Sequence, residues 1–189
     1  MNKFNVVVSV FAVFLFSCTS DDAREPILGE DDFSSELFFS EYVEGTSFNK
    51  ALEIVNLTGA TVDLQEEAYS IKKQSNGAGN WLGELFLTGR VAHLNVYVIG
   101  NEAADNTSII NNSHQLKTGA PMDFNGNDAI GLFKDGVLID VIGNFDDPED
   151  FAKDVTLRRN SEVTEPSANY DVNEWEVFEM DNVEDLGRY

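Results

Sequence analysis

The sequence is poor in the residues that carry most metal and redox chemistry. It has one cysteine and two histidines in 189 residues, and 12 basic residues against 34 acidic ones, for a formal net charge of −22. One cysteine allows no disulfide within the chain, and two histidines cannot form a three-histidine zinc centre. The acidic excess opposes direct binding to nucleic acids or anionic headgroups, because both are polyanions.

Recognisable catalytic motifs are missing as well. The sequence contains no G-x-S-x-G nucleophile elbow and no H-E-x-x-H metal motif. The glycine-rich residues 77–83 depart from the dinucleotide-binding fingerprint because the third glycine comes one position late, so we interpret them as a turn. We therefore expect a non-catalytic protein with no resident cofactor. One enzymatic hypothesis stays open, namely catalysis on glycans or phosphates by carboxylates and calcium.

Prolines are few, four in all, whereas hydrophobic residues make up 42% of the chain and aromatic residues 11%. This apolar content is too high for a disordered chain even at the observed net charge. The length fits one folded domain. We assign residues 1–17 to a signal peptide, residues 18–36 to an acidic flexible tether, and residues 37–189 to the domain.

The first 17 residues have the pattern of a secretory signal. Lys3 precedes an apolar run over residues 4–16, which is too short to span a bilayer, since a spanning helix needs about 20 residues. Leu15-Phe16-Ser17-Cys18 resembles the lipobox of bacterial lipoproteins, in which cleavage leaves a lipidated cysteine at the N-terminus. We predict lipidation of Cys18, and the alternative is an ordinary signal peptide followed by a chance cysteine.

A lipidated Cys18 determines where the protein resides. At least two acyl chains would anchor it stably, at about 0.8 kcal/mol per buried CH₂ group. Ser20-Asp21-Asp22 resembles the short acidic signal that sends some Gram-negative lipoproteins to the outer face of the outer membrane. We therefore predict a lipid-anchored protein of the Gram-negative cell envelope, at the outer membrane and exposed to the surroundings. The acidic residues that follow predict an extended tether.

The body of the chain has the pattern of short strands separated by turns, with no long run of helical period. Nine strands are predicted, over residues 37–43, 51–57, 68–74, 85–87, 96–99, 129–134, 137–142, 155–159 and 175–178. Such a series favours an all-β fold with antiparallel strands in a sandwich or barrel.

The clearest local signal is the hairpin around Asp135-Gly136, a pair typical of a type I′ turn. In the register that this turn sets, Lys134 faces Val137, and two apolar pairs follow. The pairs that we assign to the core are Leu132 with Ile139 and Ile130 with Val141. The opposite face is also largely apolar, so a loop of this chain or a partner must cover it. It carries Phe133, Leu138 and Ile142 with Gly131 and Asp140.

A set of segments can be considered together: residues 38–56, 69–77, Met-Asp-Phe-Asn-Gly-Asn-Asp at 122–128 with its continuation to 132, Leu-Ile-Asp-Val-Ile-Gly at 138–143, Thr-Leu-Arg-Arg at 156–159, and 173–175 up to 185–187. In their order and spacing these segments resemble the bacterial lamin tail domain over residues 37–189. The resemblance implies an immunoglobulin-like antiparallel β-sandwich, a non-catalytic module of exported proteins that also occurs appended to nucleases and other hydrolases. Glu66-Glu67, in place of a turn glycine, and the terminal Arg188-Tyr189 depart from the family pattern.

Two acidic loops are candidates for a weak calcium site, which would be the only metal chemistry expected. Asp123, Asn125 and Asn127 place side-chain oxygens at alternate positions, and Asp128 follows, but the glycine and glutamate of an EF-hand loop are missing. Asp146 and Asp147 begin a second acidic loop. The alternative for the first loop is a tight turn whose side chains bond the backbone, and for the second a solvated loop.

Glu41, Glu44, Asn49 and Glu53 are candidates for a polar ligand patch on the first two strands and their connection. The alternative is that they fix the connection by hydrogen bonds. Trp81 and Trp175 are better interpreted as core or turn anchors than as a platform for sugar rings, since an indole buries a large area.

Two functions are favoured by these observations. The first is an envelope-anchored module that binds a protein or an extracellular polymer, with the membrane as a second partner through Cys18. The alternative is an accessory domain that partners a secreted nuclease or other hydrolase. A stoichiometric enzyme partner would distinguish the two.

Overall fold

The structure is a computed structural model that describes residues 33–189. The predicted signal peptide, the predicted lipidation site Cys18 and residues 18–32 of the predicted tether lie outside the described residues. One α-helix of six residues, α1 (Thr107–Asn112), accompanies the strands, and Asn106 caps its first turn by accepting from Ser108 N. Among residues 33–189, no helix has the length and apolar character needed to cross a membrane.

The described chain folds into a β-sandwich of antiparallel sheets, as predicted. Its strands are β1 (Phe38–Glu44), β2 (Lys50–Val55), β3 (Val62–Asp63), β4 (Tyr69–Gln74), β5 (Leu82–Phe86), β6 (Arg90–Val91), β7 (Val96–Asn101), β8 (Gln115–Lys117), β9 (Ala129–Lys134), β10 (Val137–Ile142), β11 (Val155–Arg159) and β12 (Trp175–Glu179). A six-stranded sheet has the order β12-β11-β1-β2-β7-β8, a four-stranded sheet the order β10-β9-β4-β5, and β3 pairs with β6.

All nine predicted strands are present, with ends that differ by three residues or fewer. The prediction missed β3, β6 and β8, which are only two or three residues long and carry no alternating pattern, and it missed α1. The strand β8 is also the one that runs parallel to its neighbour β7. Short edge elements of this kind form because tertiary contacts hold them, so their own sequences give little signal.

The core lies between the two large sheets. It includes Leu52 and Ile54 of β2, Leu132 of β9, and Phe39 and Tyr42 of β1, which share a face because a β-bulge lies between Phe39 and Glu41. Tyr42 stacks on Phe124 with ring centroids 4.8 Å apart. Trp175 at the start of β12 is also in this core, which confirms its predicted role as an anchor.

The hairpin β9–β10 has the predicted turn, since Asp135 and Gly136 both have positive φ, at 47° and 76°. Lys134 pairs with Val137 as predicted, but a β-bulge between Leu138 and Asp140 shifts the register beyond it. Leu132 therefore pairs with Asp140 and Ile130 with Ile142, so the predicted pairs Leu132–Ile139 and Ile130–Val141 were wrong. The cause is the extra residue of the bulge, which the turn rule does not anticipate.

The bulge reorients Asp140, so that its fully buried carboxyl points towards the six-stranded sheet. Its oxygens accept from Phe39 N at 2.8 Å and from Ser167 N at 2.9 Å, and Arg159 donates to it at 3.1 Å. Burial raises the pKa of Asp140, while Arg159 and the two backbone donors oppose the rise. The prediction that placed Asp140 on the outer face of the hairpin was therefore wrong, and this residue joins the two sheets.

The described end of the predicted tether packs on the domain. Ser34 N donates to Leu57 O at 3.1 Å, and Glu36 pairs with Lys134 at 2.8 Å. The ring of Phe33 meets His93 edge to face at 5.4 Å. Residues 33–36 therefore contribute to the folded unit.

Candidate functional site

The outer face of the six-stranded sheet is covered by the chain itself. Helix α1 and residues 183–189, which we call the cover segment, lie across it. Ile109 of α1 and Leu186 pack with Val43, Ala51 and Val98, and Tyr189 packs with a second group of apolar residues at the other end of the face. That second group consists of Phe38, Val55, Leu57 and Val96.

The four residues of the predicted polar patch are all buried, and the structure divides them into two pairs. Glu44 pairs with Lys50 and accepts from Asp154 N. The Asn49 side-chain oxygen accepts from the backbone N–H groups of Asp105 and Asn106. These two residues therefore fix connections by hydrogen bonds, as in the alternative interpretation.

Glu41 and Glu53 are opposite one another on neighbouring strands β1 and β2, on the outer face. They are 2% and 1% exposed. Glu53 accepts from Ser40 Oγ at 2.8 Å and from Gly187 N of the cover segment at 2.6 Å. Arg158 on β11 lies 3.4 Å from Glu41 Oε2, whereas Glu41 Oε1 accepts no hydrogen bond from the described residues.

This arrangement disfavours ionisation of both carboxyls. Burial raises the pKa of Glu41 to about 7, although Arg158 opposes the rise. Burial and the neighbouring Glu41 raise the pKa of Glu53 to about 8, against the hydrogen bonds from Ser40 and Gly187. Two neighbouring carboxyls in a site with little water repel one another when both are ionised, and this raises the free energy of the doubly charged state. The pair therefore retains protons near neutral pH.

A groove of about 1110 Å³ runs beside this pair. Both signs of charge line it, with Arg158, Arg159 and Arg188 alongside Glu176 and Asp185. Sequence reasoning missed this clustering of arginines. The Thr-Leu-Arg-Arg motif gave a signal for two of them, but the approach of Arg158 to Glu41 depends on the pairing of β11 with β1.

The first predicted calcium loop has an ammonium group among its carboxylates. Lys73 Nζ on β4 lies 2.8 Å from Asp123 Oδ1 and 2.8 Å from Asp128 Oδ2. Asp128 is buried and also accepts from Asn76 N at 2.7 Å. Burial lowers and the two aspartates raise the pKa of Lys73, and the net direction is upward. The aspartates are thus engaged with lysine and backbone donors.

The second acidic loop packs against the first without sharing a cation site with it. Asn127 Nδ2 donates to Pro148 O at 3.0 Å, and Asp146 exchanges two hydrogen bonds with the Gln74 amide. Asn125 Oδ1 accepts from Asn127 N, and Asp147 Oδ1 from Glu149 N, as in side-chain turns. Within residues 33–189, no three histidine, cysteine, aspartate or glutamate side chains are grouped to hold a metal ion. Calcium binding stays a prediction from the sequence.

The outer face of the four-stranded sheet carries large apolar side chains. We call Trp81, Phe86, Phe133 and Phe145 the aromatic patch. The Trp81 ring lies 5.4 Å from Phe133, edge to face, and 4.8 Å from Phe145. Phe86 is separated from Phe133 by one strand, since both pair with Ser70 of β4. The Lys72 ammonium lies 4.5 Å above the Phe133 ring and pairs with Glu84.

Part of the second face of the hairpin is covered by the chain itself, whereas Ile142, which was predicted on that face, lies in the main core, so that part of the prediction was wrong. Phe133 is only 4% exposed, because Trp81 and Lys72 of the same chain lie over it, and Phe145 packs on Trp81 in turn. The patch nevertheless leaves apolar surface open to solvent, since Phe145 is 42% and Phe86 61% exposed. Trp81 is thus an anchor for its loop, as predicted, and also part of an exposed surface.

Comparison with protein-family models, with curated proteins and with solved structures found no match to this chain.

Proposed function

We propose that the protein is a non-catalytic interaction module of the lamin tail domain type, an immunoglobulin-like sandwich held at the outer membrane through lipid on Cys18. The observation that carries the proposal is the aromatic patch. Large aromatic side chains that stay exposed on one sheet face are typical of binding surfaces, where Trp in particular supplies much of the binding energy. The partner is a protein or an extracellular polymer.

Two further features support this function. The carboxyls of the Glu41–Glu53 pair are buried beneath the cover segment, so they are poorly placed to reach a substrate. The surface around the patch is acidic, with Asp146, Asp147 and Glu149 on the loop that carries Phe145. A partner surface with basic residues around apolar side chains would complement it, and a polyanion would be repelled.

The test is mass spectrometry of crosslinks formed by the anchored protein on living cells. We expect one recurrent partner with the wild type, loss of that partner with Trp81→Ala, and retention with Val177→Ser. Val177 is a matched control because it is an exposed apolar residue on β12 of the other sheet. Thermal melts of each variant establish that it remains folded.

Each result then decides a specific point. A recurrent hydrolase in constant stoichiometry would favour the accessory-domain function, and recovery of glycan alone would favour polymer binding. Partner recovery that is unchanged by Trp81→Ala would overturn the role of the patch. Loss of labelled fatty acid in Cys18→Ser, with the domain still folded, is expected if the anchor is correct; equal labelling would refute it.

A further inference from the structure

The cover segment is held on the sheet by few polar contacts, and these converge on the Glu41–Glu53 pair. Gly187 N donates to Glu53, and Asp185 lies 3.3 Å from the Arg158 guanidinium that also approaches Glu41. Leu186 supplies the main apolar contact between these two polar positions. The state of the pair and the position of the segment are therefore linked by direct contacts.

Too few positively charged groups contact the pair to compensate two ionised carboxylates. Arg158 is the cation in contact with Glu41, and it is shared with Asp185 and with Asn182. The β7 strand and the loop before it contribute only uncharged residues to this side of the groove, namely Leu94, Asn95 and Val96. The other titratable or charged groups that line the groove are Arg159 of β11, whose guanidinium pairs with Asp140 and Glu174, Glu176 of β12, and Arg188 and Tyr189 of the cover segment.

Glu41 Oε1 has no hydrogen-bond donor among the described residues and is closed off from solvent. A buried carboxylate oxygen without a donor is costly, whereas a protonated carboxyl reduces that cost. If both groups ionise, water is the available source of further donors. Water can reach the pair once the cover segment moves away, because that segment lies over the outer face.

We propose that the Glu41–Glu53 pair is a proton-controlled latch for the cover segment. The segment lies closed on the sheet while the pair retains protons, and it opens with release of those protons to solvent. No covalent step is involved. Opening uncovers apolar residues such as Val43 and Val55, together with the groove beside them.

The direction of the pH dependence follows from proton linkage. In the open state the carboxyls are solvated and have ordinary pKa values near 4.5, whereas in the closed state the pKa values are about 7 and about 8. Between these limits the open state binds fewer protons, so opening is favoured as the pH rises from about 5 to about 8. Above about pH 8 both carboxyls are ionised in the closed state as well as in the open state, so opening no longer depends on pH.

Hydrogen exchange measured by mass spectrometry on the purified protein tests the latch. After correction for intrinsic exchange rates, protection of residues 183–189 is expected to fall by about tenfold or more per pH unit between pH 5.5 and 7.5. A peptide from β9 in the same spectra serves as the internal reference and is expected to keep its protection. In the double variant Glu41→Gln/Glu53→Gln, the pH dependence of residues 183–189 is expected to disappear.

The matched control is Glu176→Gln, which removes an exposed carboxyl from the same groove and is expected to leave the pH dependence intact. Protection of residues 183–189 that stays constant with pH in the wild type would overturn the latch, as would a pH dependence that persists in the double variant. If that variant does not fold, the carboxyl carbons of the wild type are titrated by NMR. Two ordinary glutamate titrations near pH 4.5 would then refute the proposal.

Discussion

The outer face of the six-stranded sheet has two buried carboxyls beneath the cover segment, whereas the outer face of the four-stranded sheet has aromatic rings open to solvent. The usual arrangement would place polar residues at the surface and apolar residues under cover. The first face keeps polar groups inside by satisfying most of them with hydrogen bonds. The second face keeps apolar groups outside, which is costly in water unless a partner covers them.

The two faces have different roles, since residues of the covered face stabilise the fold and residues of the open face are available for binding. On the covered face, side chains are held by many contacts of the same chain, so changes there should alter folding and its pH dependence. On the open face, a side chain such as Phe86 contributes little to the fold, so changes there should alter binding. The following expectations test that division, beginning at the residue where the two sheets meet.

Asp140→Ala should have the largest effect, because both sheets depend on this carboxyl. Its removal leaves Arg159 without its buried acidic partner and deprives Phe39 N and Ser167 N of their acceptor. We expect a loss of about 3–5 kcal/mol in the free energy of unfolding, measured by urea denaturation. Asp150→Ala, which removes an exposed ion pair, should cost less than about 1 kcal/mol. Similar losses for the two variants would contradict this role of Asp140.

Leu186→Ala should rank second, since it removes the apolar contact of the cover segment with Val43, Ala51 and Val98. We expect a loss of about 2–4 kcal/mol by denaturant titration, the range for a truncated buried leucine. Faster hydrogen exchange of residues 183–189 should accompany it. Unchanged stability would mean that the segment is not part of the cooperative fold.

Glu53→Gln should stabilise the protein in a pH-dependent way. The folded state keeps a proton on Glu53 up to about pH 8, whereas the unfolded chain loses it near pH 4.5. The contribution of Glu53 to the stability of the wild type is therefore complete below pH 4.5 and is lost as the pH rises towards 8. At pH 8 we expect the free energy of unfolding of the variant to exceed that of the wild type by on the order of 2 kcal/mol. At pH 4 we expect the two values to be equal.

Glutamine is suited to this position because its carbonyl can accept from Gly187 N while its amide faces the Ser40 hydroxyl. Thermal melts across this pH range provide the measurement, with Glu176→Gln as the control on the same face. A difference from wild type that is equal at pH 4 and pH 8 would show that ionisation is not its cause.

Phe86→Ala should have the smallest effect on folding, because this side chain is largely exposed. We expect a change within about 0.5 kcal/mol by denaturant titration, together with fewer crosslinks to the partner. Leu186→Ala is the matched comparison, as a truncation of a large apolar side chain on the other face. A large loss of stability in Phe86→Ala would show that the patch serves the fold.

Much of the fold was accessible from local sequence. The nine predicted strands and the Asp135-Gly136 turn arise from alternation and turn chemistry, which act over a few residues. The register of β10 was not accessible, because the bulge is set by Asp140 meeting donors from Phe39, Arg159 and Ser167, far away in the chain. Strands of two or three residues were missed for the same reason.

The candidate site was predicted only in part. Glu41 and Glu53 were selected by their position on the first two strands, but their burial depends on a segment more than 130 residues later. The aspartates of the first acidic loop were selected by the chemistry of calcium, yet Lys73 from another strand lies among them. Sequence spacing does not show which residue of opposite charge the fold brings near.

The sequence by itself determined that this is an acidic, all-β chain with one cysteine and little of the usual catalytic equipment, because composition and period follow directly from the residues. The tertiary structure decided which carboxyls are buried, which aromatic rings are exposed, and which arginine meets which glutamate. Those outcomes depend on the packing of strands distant in sequence. Burial, charge pairing and exposure are properties of that packing, and they distinguish the covered face from the open one.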